Sequence, residues 1–275
     1  LTTRMKSVGE VMSIGRNYKE ALQKALRSLE QGYTGLNEVS LPDALDSQIN
    51  ELKEKLQQPR PDRLFFMAEA LRFGMTIEEI TALTGVDSWF VDQMEQLIEL
   101  EKVIQESGMP DQELMWKAKS WGFSDSRIAE LTGKEEVEVR KMRDEWEIYP
   151  VYRRVDTCAG EFEAHTPYLY STYERGASER EDGENSSSVF GKKGDQGTII
   201  ILGSGPNRIG QGLEFDYCCV QAALTLHEKG FRVVLANCNP ETVSIDYDVS
   251  DCLYFEPLTL EDVLNICRAE DPDGI

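Results

Sequence analysis

A stretch of sequence that occurs twice constrains the fold of the first half of this chain more than any other feature. Residues 64–94 and 114–142 match at a constant offset of 48 positions. Each copy reads as a helix, a glycine stop, a short capped helix, a Thr-Gly turn and a longer helix. The matched pairs are Gly74 with Gly122, Thr76 with Ser124, Ile80 with Ile128, Leu83 with Leu131, Thr84-Gly85 with Thr132-Gly133, Val91 with Val139, and Met94 with Met142. Self-similarity at a fixed spacing indicates an internal duplication of a small helical unit.

The duplicated unit has a second interpretation, because a short helix, a turn and a second helix also make up helix-turn-helix DNA readers. Charge argues against DNA binding. Residues 64–104 carry two basic and eight acidic side chains, and residues 108–146 carry seven and nine. The whole chain has 29 basic and 50 acidic residues, a net charge of −21 that repels nucleic acid and anionic membranes. The large apolar residues Trp89, Phe90 and Met94 therefore favour helix packing, including packing against another copy of the chain.

Cysteine and histidine usage argues against a disulfide framework or a zinc site. The six cysteines contain no CxxC spacing, and two histidines are present. Buried thiols in a reducing cytoplasm fit this pattern better. No run of about 18 apolar residues is available to span a bilayer. The chain opens without an initiator methionine or a signal peptide, so we expect a central piece of a longer, cytoplasmic protein.

We predict an almost purely helical unit over residues 17–150. Asn17 caps its first helix and Glu20 completes a capping box. The apolar face expected to pack consists of Tyr18, Ala21, Leu22, Ala25, Leu26 and Leu29.

A connecting segment is predicted over residues 151–197. Residues 149–174 carry five tyrosines but little periodicity, so we expect an irregular stretch that lies over a domain surface. Residues 176–197 are rich in glycine, serine and charge, which predicts a mobile linker.

Residues 198–275 switch to alternating strand and helix patterns. Strands are predicted at 199–202, 232–237 and 252–255. Helices are predicted at 215–229 and from Thr259, which caps the helix with Asp262, to Arg268. This order predicts the start of a doubly wound, Rossmann-like sheet, with another parallel strand beginning in residues 272–275. The predicted fold class is multi-domain, an all-α unit followed by an incomplete α/β unit.

The first strand is followed by GSGPNRIGQG at 203–212, which only partly matches the dinucleotide fingerprint. Gly203 and Gly205 are placed correctly, but Arg208 stands at the position of the third glycine and Pro206 alters the turn. Free backbone amides together with Arg208 could hold an anion. The alternative is that the glycines serve close packing between the strand and the next helix.

The second strand leads into NCNPETVSIDYD at 237–248. Loops that follow neighbouring parallel strands emerge at one edge of the sheet, so Arg208, Glu214 and Glu241 could converge on one crevice. Two carboxylates and an arginine facing a cavity suit guidance of a small charged or polar species. Alternatively, Glu241 caps the turn after Pro240, and Glu214 stabilises the first turn of its helix.

At these residues the chain resembles a known family. GSGPNRIGQGLEFDYCC, NCNPETVSIDYDVSDCLYFEPLTLEDVL, RVDTCAGEF with YLYSTYE, and MKSVGEVMSIGRNYKEALQKALRSLE together look like the large subunit of carbamoyl-phosphate synthetase. The resemblance implies an ATP-dependent ligase that makes carbamoyl phosphate from bicarbonate, glutamine-derived ammonia and two ATP. It further implies that residues 1–16 end a first ATP-grasp domain, that 17–150 form an oligomerisation domain, and that 198–275 begin a second pre-ATP-grasp domain.

The resemblance also sets expectations for sites and partners. In this family ATP with Mg or Mn is held by ATP-grasp segments that this sequence lacks, so we expect no catalytic, cofactor-binding or metal-binding residue here and no activity from this piece alone. Arg208, Gly212, Glu214 and Glu241 resemble the lining of the family's carbamate passage. The implied partners are the remainder of the large subunit, a glutaminase small subunit and further copies through the helical domain, without nucleic acid or membrane. An assembly module without enzymatic role and a nucleotide-binding regulator remain alternatives, and the pathway, pyrimidine or arginine, stays open.

Overall fold

The computed structural model describes residues 9–42, 45–176, 193–211 and 214–275. Most of the segment predicted as a mobile linker, residues 177–192, lies outside the described residues, and so does Gly212. Two compact units are present: one spans Tyr33–Met142, and the other combines the residues up to Gly32 with Arg143–Ile275. Among the described residues, no helix has the length and apolar character needed to cross a membrane.

The unit over Tyr33–Met142 consists of helices, and its structure repeats at the same offset as the sequence. Its helices are α2 (Leu45–Gln57), α3 (Arg63–Arg72), α4 (Ile77–Thr84), α5 (Ser88–Ser107), α6 (Gln112–Ser120), α7 (Asp125–Thr132) and most of α8 (Glu136–Glu145). Helices α4 and α7 begin 48 residues apart, as do α5 and α8. The second copy differs mainly in the length of α8, which is half that of α5.

Local capping explains why both copies adopt this pattern. The Thr76 hydroxyl accepts a hydrogen bond from the Glu79 amide at 3.2 Å, and the Ser124 hydroxyl accepts one from the Arg127 amide at 3.0 Å. Gly85 and its counterpart in the second copy both end their helices in the left-handed conformation, which glycine adopts without steric cost.

The second copy contains a buried arginine where the first copy has an exposed glutamate. Arg127 matches Glu79 in the alignment, and its guanidinium contacts the carboxylates of Glu101 at 2.8 Å and Glu38 at 2.9 Å. Burial alone would lower the pKa of Arg127, but the hydrogen bonds and charges of these carboxylates raise it above its ordinary value. The network therefore keeps a buried cation fully paired, as a low-dielectric interior requires.

The second unit is built on a five-stranded sheet in the order β2-β3-β7-β6-β4, with all pairs parallel except β2 with β3. Its strands are β1 (Gly9–Glu10), β2 (Val151–Arg154), β3 (Tyr168–Thr172), β4 (Thr198–Leu202), β5 (Asn207–Arg208), β6 (Arg232–Asn237) and β7 (Cys252–Phe255), with β1 and β5 forming a separate antiparallel pair. Its helices are α1 (Tyr18–Ser28), α9 (Glu214–Glu228), a 3-10 turn (Val243–Ile245) and α10 (Leu260–Glu270).

The predicted strands and helices of residues 198–275 are confirmed. Strands β6 and β7 have the predicted bounds, and β4 and α9 begin one residue earlier than predicted. Thr259 caps α10, accepting a hydrogen bond from the Asp262 amide at 3.3 Å and donating to its carboxylate at 2.6 Å. Gly274 bridges Ile199 in parallel, which agrees with the further strand predicted at 272–275.

The prediction of an irregular stretch after Pro150 is wrong. Strands β2 and β3 form there, and β3 pairs in parallel with β7, placing Tyr168 opposite Leu253. Tyr152 is buried and meets the ring of Tyr254 edge to face at 4.8 Å. Periodicity missed these strands because each has only four or five residues and the pairing partner of β3 lies more than 80 positions later.

Helix α1 lies in the sheet unit, although the sequence grouped it with the helices that follow. The residues it buries most deeply are mainly polar; of the predicted apolar face, Leu26 is buried and the other members are half-buried. The Lys24 ammonium donates to the Ser171 carbonyl at 2.7 Å and to the Glu256 carboxylate at 3.0 Å. The Thr172 hydroxyl donates to Glu20 at 3.1 Å. These charged contacts tie α1 to the sheet, and a search for apolar spacing cannot detect them.

Candidate functional site at the carboxyl ends of two strands

The candidate site lies where the neighbouring parallel strands β4 and β6 end. Leu202 pairs with Ala236 at this edge of the sheet. Residues 203–211 continue from β4, and residues 238–251 continue from β6. The two loops selected from the sequence therefore start side by side, as the parallel arrangement predicted.

Gly203 allows the two strand ends to pack closely. Its amide donates to the Ala236 carbonyl at 2.8 Å. A Cβ atom at this position would overlap the side-chain amide of Asn237. Asn237 is buried, and its side-chain oxygen Oδ1 accepts from the Cys238 amide at 2.9 Å. For Gly203, then, the structure supports close packing, the alternative to an anion-binding role.

Arg208 forms an ion pair that the sequence did not indicate. It lies on β5, which pairs antiparallel with β1, and its guanidinium contacts the Glu30 carboxylate at 2.7 Å. Each side chain of the pair is 37% exposed, so solvent screens their attraction and the pair contributes little to stability. Its effect on the site is electrostatic: the positive charge next to the glycine loop is already balanced by a carboxylate.

Glu30 is held in an unusual conformation beside this loop. Its φ of 52° places it in the left-handed region, and Gly205 faces it with a φ of 75°. A Cβ atom at position 205 would overlap the Glu30 carboxylate. Glu30 had no local signal as a site residue because it lies 178 positions before Arg208.

The two candidate glutamates lie on different parts of the chain, Glu214 on a helix and Glu241 in the second loop. Glu214 is the first residue of α9. Glu241 is exposed, and its amide donates to the side-chain oxygen of Asn239 at 2.9 Å. This is an Asx turn of the kind that reverses a chain after a strand. The turn leaves the Glu241 carboxylate in solvent and accounts for the loop's shape without a capping role for that carboxylate.

Asp216 links α9 to the second loop and was also missed by sequence reasoning. It is buried, and its carboxylate accepts a hydrogen bond from the Ser244 amide at 2.5 Å. The sequence contained no distinguishing signal, since an acidic residue in the first turn of a helix is common for dipole reasons alone.

Cys238 follows β6 directly and is fully buried. Its thiol donates to the Ser28 carbonyl at 3.7 Å, and its own carbonyl accepts from the Met12 amide at 2.9 Å. Burial raises the pKa of Cys238 to about 12. At neutral pH the thiol is protonated and is therefore not a nucleophile.

The arrangement provides polar walls and no described reactive group. The arginine is paired, the thiol is protonated, and the described residues contain no cluster of three or more His, Cys, Asp or Glu side chains that could hold a metal ion. Such walls can orient or guide a small polar species without forming a covalent bond to it.

Comparison with known proteins adds two family matches and a set of relatives. Residues 10–147 match the family described as carbamoyl-phosphate synthetase large chain, oligomerisation domain, and residues 195–275 match the carbamoyl phosphate synthase preATP-grasp domain. Over its whole length the chain is 50% identical to the carbamoyl phosphate synthase large chain of Vibrio cholerae, 52% to that of Pseudomonas putida and 50% to that of Rhizobium meliloti. It spans 24%, 25% and 23% of those relatives, about a quarter of their length.

Proposed function

Because this chain belongs to the family of carbamoyl-phosphate synthetase large chains, we propose that it is the central part of an enzyme that makes carbamoyl phosphate from bicarbonate, glutamine-derived ammonia and two ATP. One observation carries the proposal: the two family matches follow each other in one chain that is about half identical to the relatives throughout. In this proposal the enzyme is an ATP-dependent ligase that uses Mg or Mn. Its partners are the remainder of the large chain and a glutaminase small subunit.

Within that enzyme, the two parts of the chain have separate proposed roles. Residues 17–150 serve oligomerisation and residues 198–275 begin a pre-ATP-grasp domain, while residues 1–16 end the preceding ATP-grasp domain and 151–197 connect the parts. In this family ATP is held by ATP-grasp segments, which this sequence lacks. The chain alone therefore neither binds ATP tightly nor turns over. Calorimetry with ATP and magnesium that detected micromolar binding would contradict this.

The loops at the ends of β4 and β6 form part of the carbamate passage in this proposal, with Arg208, Gly212, Glu214 and Glu241 as lining residues. Three features support the assignment. The loops start from adjacent parallel strands, the Arg208 charge is balanced by Glu30, and the thiol nearest the strand ends is protonated. Carbamate is unstable in water and reactive toward nucleophiles, so a wall that is polar but unreactive suits its transfer.

A bulky side chain in the glycine loop tests the passage in the full-length enzyme. Gly212→Phe should narrow the passage, so that ATP hydrolysed per carbamoyl phosphate formed rises while bicarbonate-dependent ATP hydrolysis continues. Gly212→Ala is the matched control, because a methyl group leaves the passage open. Unchanged coupling in the phenylalanine variant, with the enzyme folded, counts against the passage.

The helical unit also supports the second candidate function, assembly. Trp89 and Phe90, in the first turn of α5, are 51% and 40% exposed, and their rings meet edge to face at 5.0 Å. Adjacent exposed aromatic rings are costly in water and are typical of contact surfaces. Sedimentation at several concentrations should show self-association that Trp89→Ala weakens. Val137→Ala changes the matching position of the second copy and serves as the control. A strict monomer at all concentrations would remove the assembly role for this chain.

A further inference from the structure

Ser244 is the point at which three elements of the candidate site meet. It lies in the 3-10 turn of the second loop and is fully buried. Its amide donates to the Asp216 carboxylate on α9 at 2.5 Å, and its hydroxyl accepts from the Asn237 side-chain amide at the end of β6 at 3.4 Å. The loop is therefore held from the helix on one side and from the strand on the other.

The contact from the helix is the stronger of the two. A hydrogen bond to an ionised acceptor is roughly twice as strong as a neutral one, and the 2.5 Å distance and the burial of both residues strengthen it further. The second oxygen of Asp216 is buried and has no hydrogen-bond partner among the described residues. Asparagine could accept the same bond through its side-chain oxygen, but its NH2 group would replace the unpartnered oxygen and bury two donors without acceptors, so the site suits a carboxyl group better.

The hydrogen bond between Asp216 and Ser244 connects the helix that carries Glu214 to the loop that carries Glu241. Glu214 lies two residues before Asp216 on α9, and Glu241 lies three residues before Ser244 on the loop. The Asx turn from Asn239 to Glu241 and the 3-10 turn that contains Ser244 shape this part of the loop. The bond between Asp216 and Ser244 therefore sets the distance between α9 and this loop.

We propose that Asp216 is a positioning residue that holds the loop carrying Glu241 against the helix carrying Glu214, and so fixes the spacing of two walls of the carbamate passage. The inference rests on the proposed passage. It adds a residue that touches no substrate and acts through Ser244. Without Asp216 the loop separates from α9, and the passage leaks although every lining residue is present.

The test uses the full-length enzyme and two variants of Asp216. Asp216→Ala removes the acceptor, so amide exchange at Ser244 should accelerate at least about tenfold. ATP hydrolysed per carbamoyl phosphate formed should also rise. Asp216→Asn keeps a neutral acceptor of the same shape and should fall between wild type and the alanine variant in both measurements. Asp246→Ala removes an exposed aspartate from the same loop and should change neither.

The readouts separate failure of the positioning role from failure of the passage. Unchanged exchange at Ser244 in Asp216→Ala overturns the proposal. The proposal is also overturned if Asp216→Ala accelerates exchange at Ser244 but leaves coupling intact, provided that Gly212→Phe does uncouple the enzyme. If Gly212→Phe also leaves coupling intact, the passage assignment is the one that fails, and the positioning role built on it falls with it. Should the alanine variant not fold, the isosteric Asp216→Asn decides by the same two measurements.

Discussion

Replacement of Lys24 by methionine tests whether the buried charged face of α1 stabilises the sheet unit. Lys24 is 3% exposed, and its ammonium group donates to the carbonyls of Ile14 and Ser171 and to the Glu256 carboxylate. Methionine keeps most of the side-chain length but removes all three bonds and leaves Glu256 buried without its cation. Breaking one side of a buried ion pair costs about 3–5 kcal/mol. That loss is a large part of the roughly 5–15 kcal/mol that stabilises a typical domain.

The loss should depend on pH in a defined direction. Burial raises the pKa of Glu256 above its ordinary value of 4.5, and Lys24 offsets part of that rise. A carboxyl group with a raised folded-state pKa contributes stability that is present in full below its unfolded pKa and is lost as pH rises through the folded pKa. Removing Lys24 raises the pKa of Glu256 further. The destabilisation should therefore be smallest below about pH 4.5 and grow toward neutral pH.

Urea unfolding of the 275-residue chain at about pH 4.5 and about pH 7.5, followed by circular dichroism, measures this effect. Lys229→Met, on an exposed position of the same unit, is the matched control and should change the free energy of unfolding by less than about 0.5 kcal/mol. Adding Glu256→Gln to Lys24→Met should recover part of the loss at the higher pH. A loss below about 1 kcal/mol at the higher pH, or the same loss at both, would refute the reasoning.

Three further predictions concern packing and reactivity. Gly203→Ala should lower the free energy of unfolding by about 1–3 kcal/mol, because the added methyl group overlaps a buried side-chain amide; a neutral effect in urea unfolding would contradict this. Arg127→Met should cost about 1.5–3 kcal/mol, since it removes charge-assisted hydrogen bonds to buried Glu101 while Arg72 still contacts that carboxylate. Glu79→Met, at the matching position of the first copy, should cost only about 1 kcal/mol, since it removes the capping-box contact with Thr76. Equal losses of unfolding free energy in the two variants would argue against the Arg127 network. In alkylation at about pH 8, exposed Cys218 should react, while Cys238, with its pKa raised to about 12, should react only after urea unfolds the chain. Prompt labelling of both thiols in the folded chain would contradict the burial of Cys238.

Local chemistry made the helix and strand bounds predictable. The caps at Thr76 and Ser124 depend on residues three positions away. Strands β6 and β7 were recognisable because both are buried along their whole length, so β7 and the centre of β6 (residues 233–236) read as apolar runs. The same reasoning located the two loops of the candidate site, since loops after adjacent parallel strands must emerge at one edge of the sheet.

Interactions between distant residues could not be predicted in the same way. Strands β2 and β3 were missed because a strand this short shows too little periodicity to be identified without its pairing partner. The partner of β3 is β7, which lies far along the chain. The face of α1 was misjudged because ion pairs with the sheet, and not apolar spacing, decide which side is buried. In the candidate site, the partners of Arg208 and Ser244 were likewise absent from the predictions.

The amino-acid sequence by itself determined the family, the repeated helical unit, the position of most elements of the sheet and the edge at which the loops meet. Each of these depends on residues a few positions apart or on long motifs that can be read along the chain. The tertiary structure alone decided that Lys24 pairs with Glu256 across 232 positions and Arg208 with Glu30 across 178. In an acidic chain each cation has many possible partners, and which carboxylate lies within reach of it is decided only once the chain has folded.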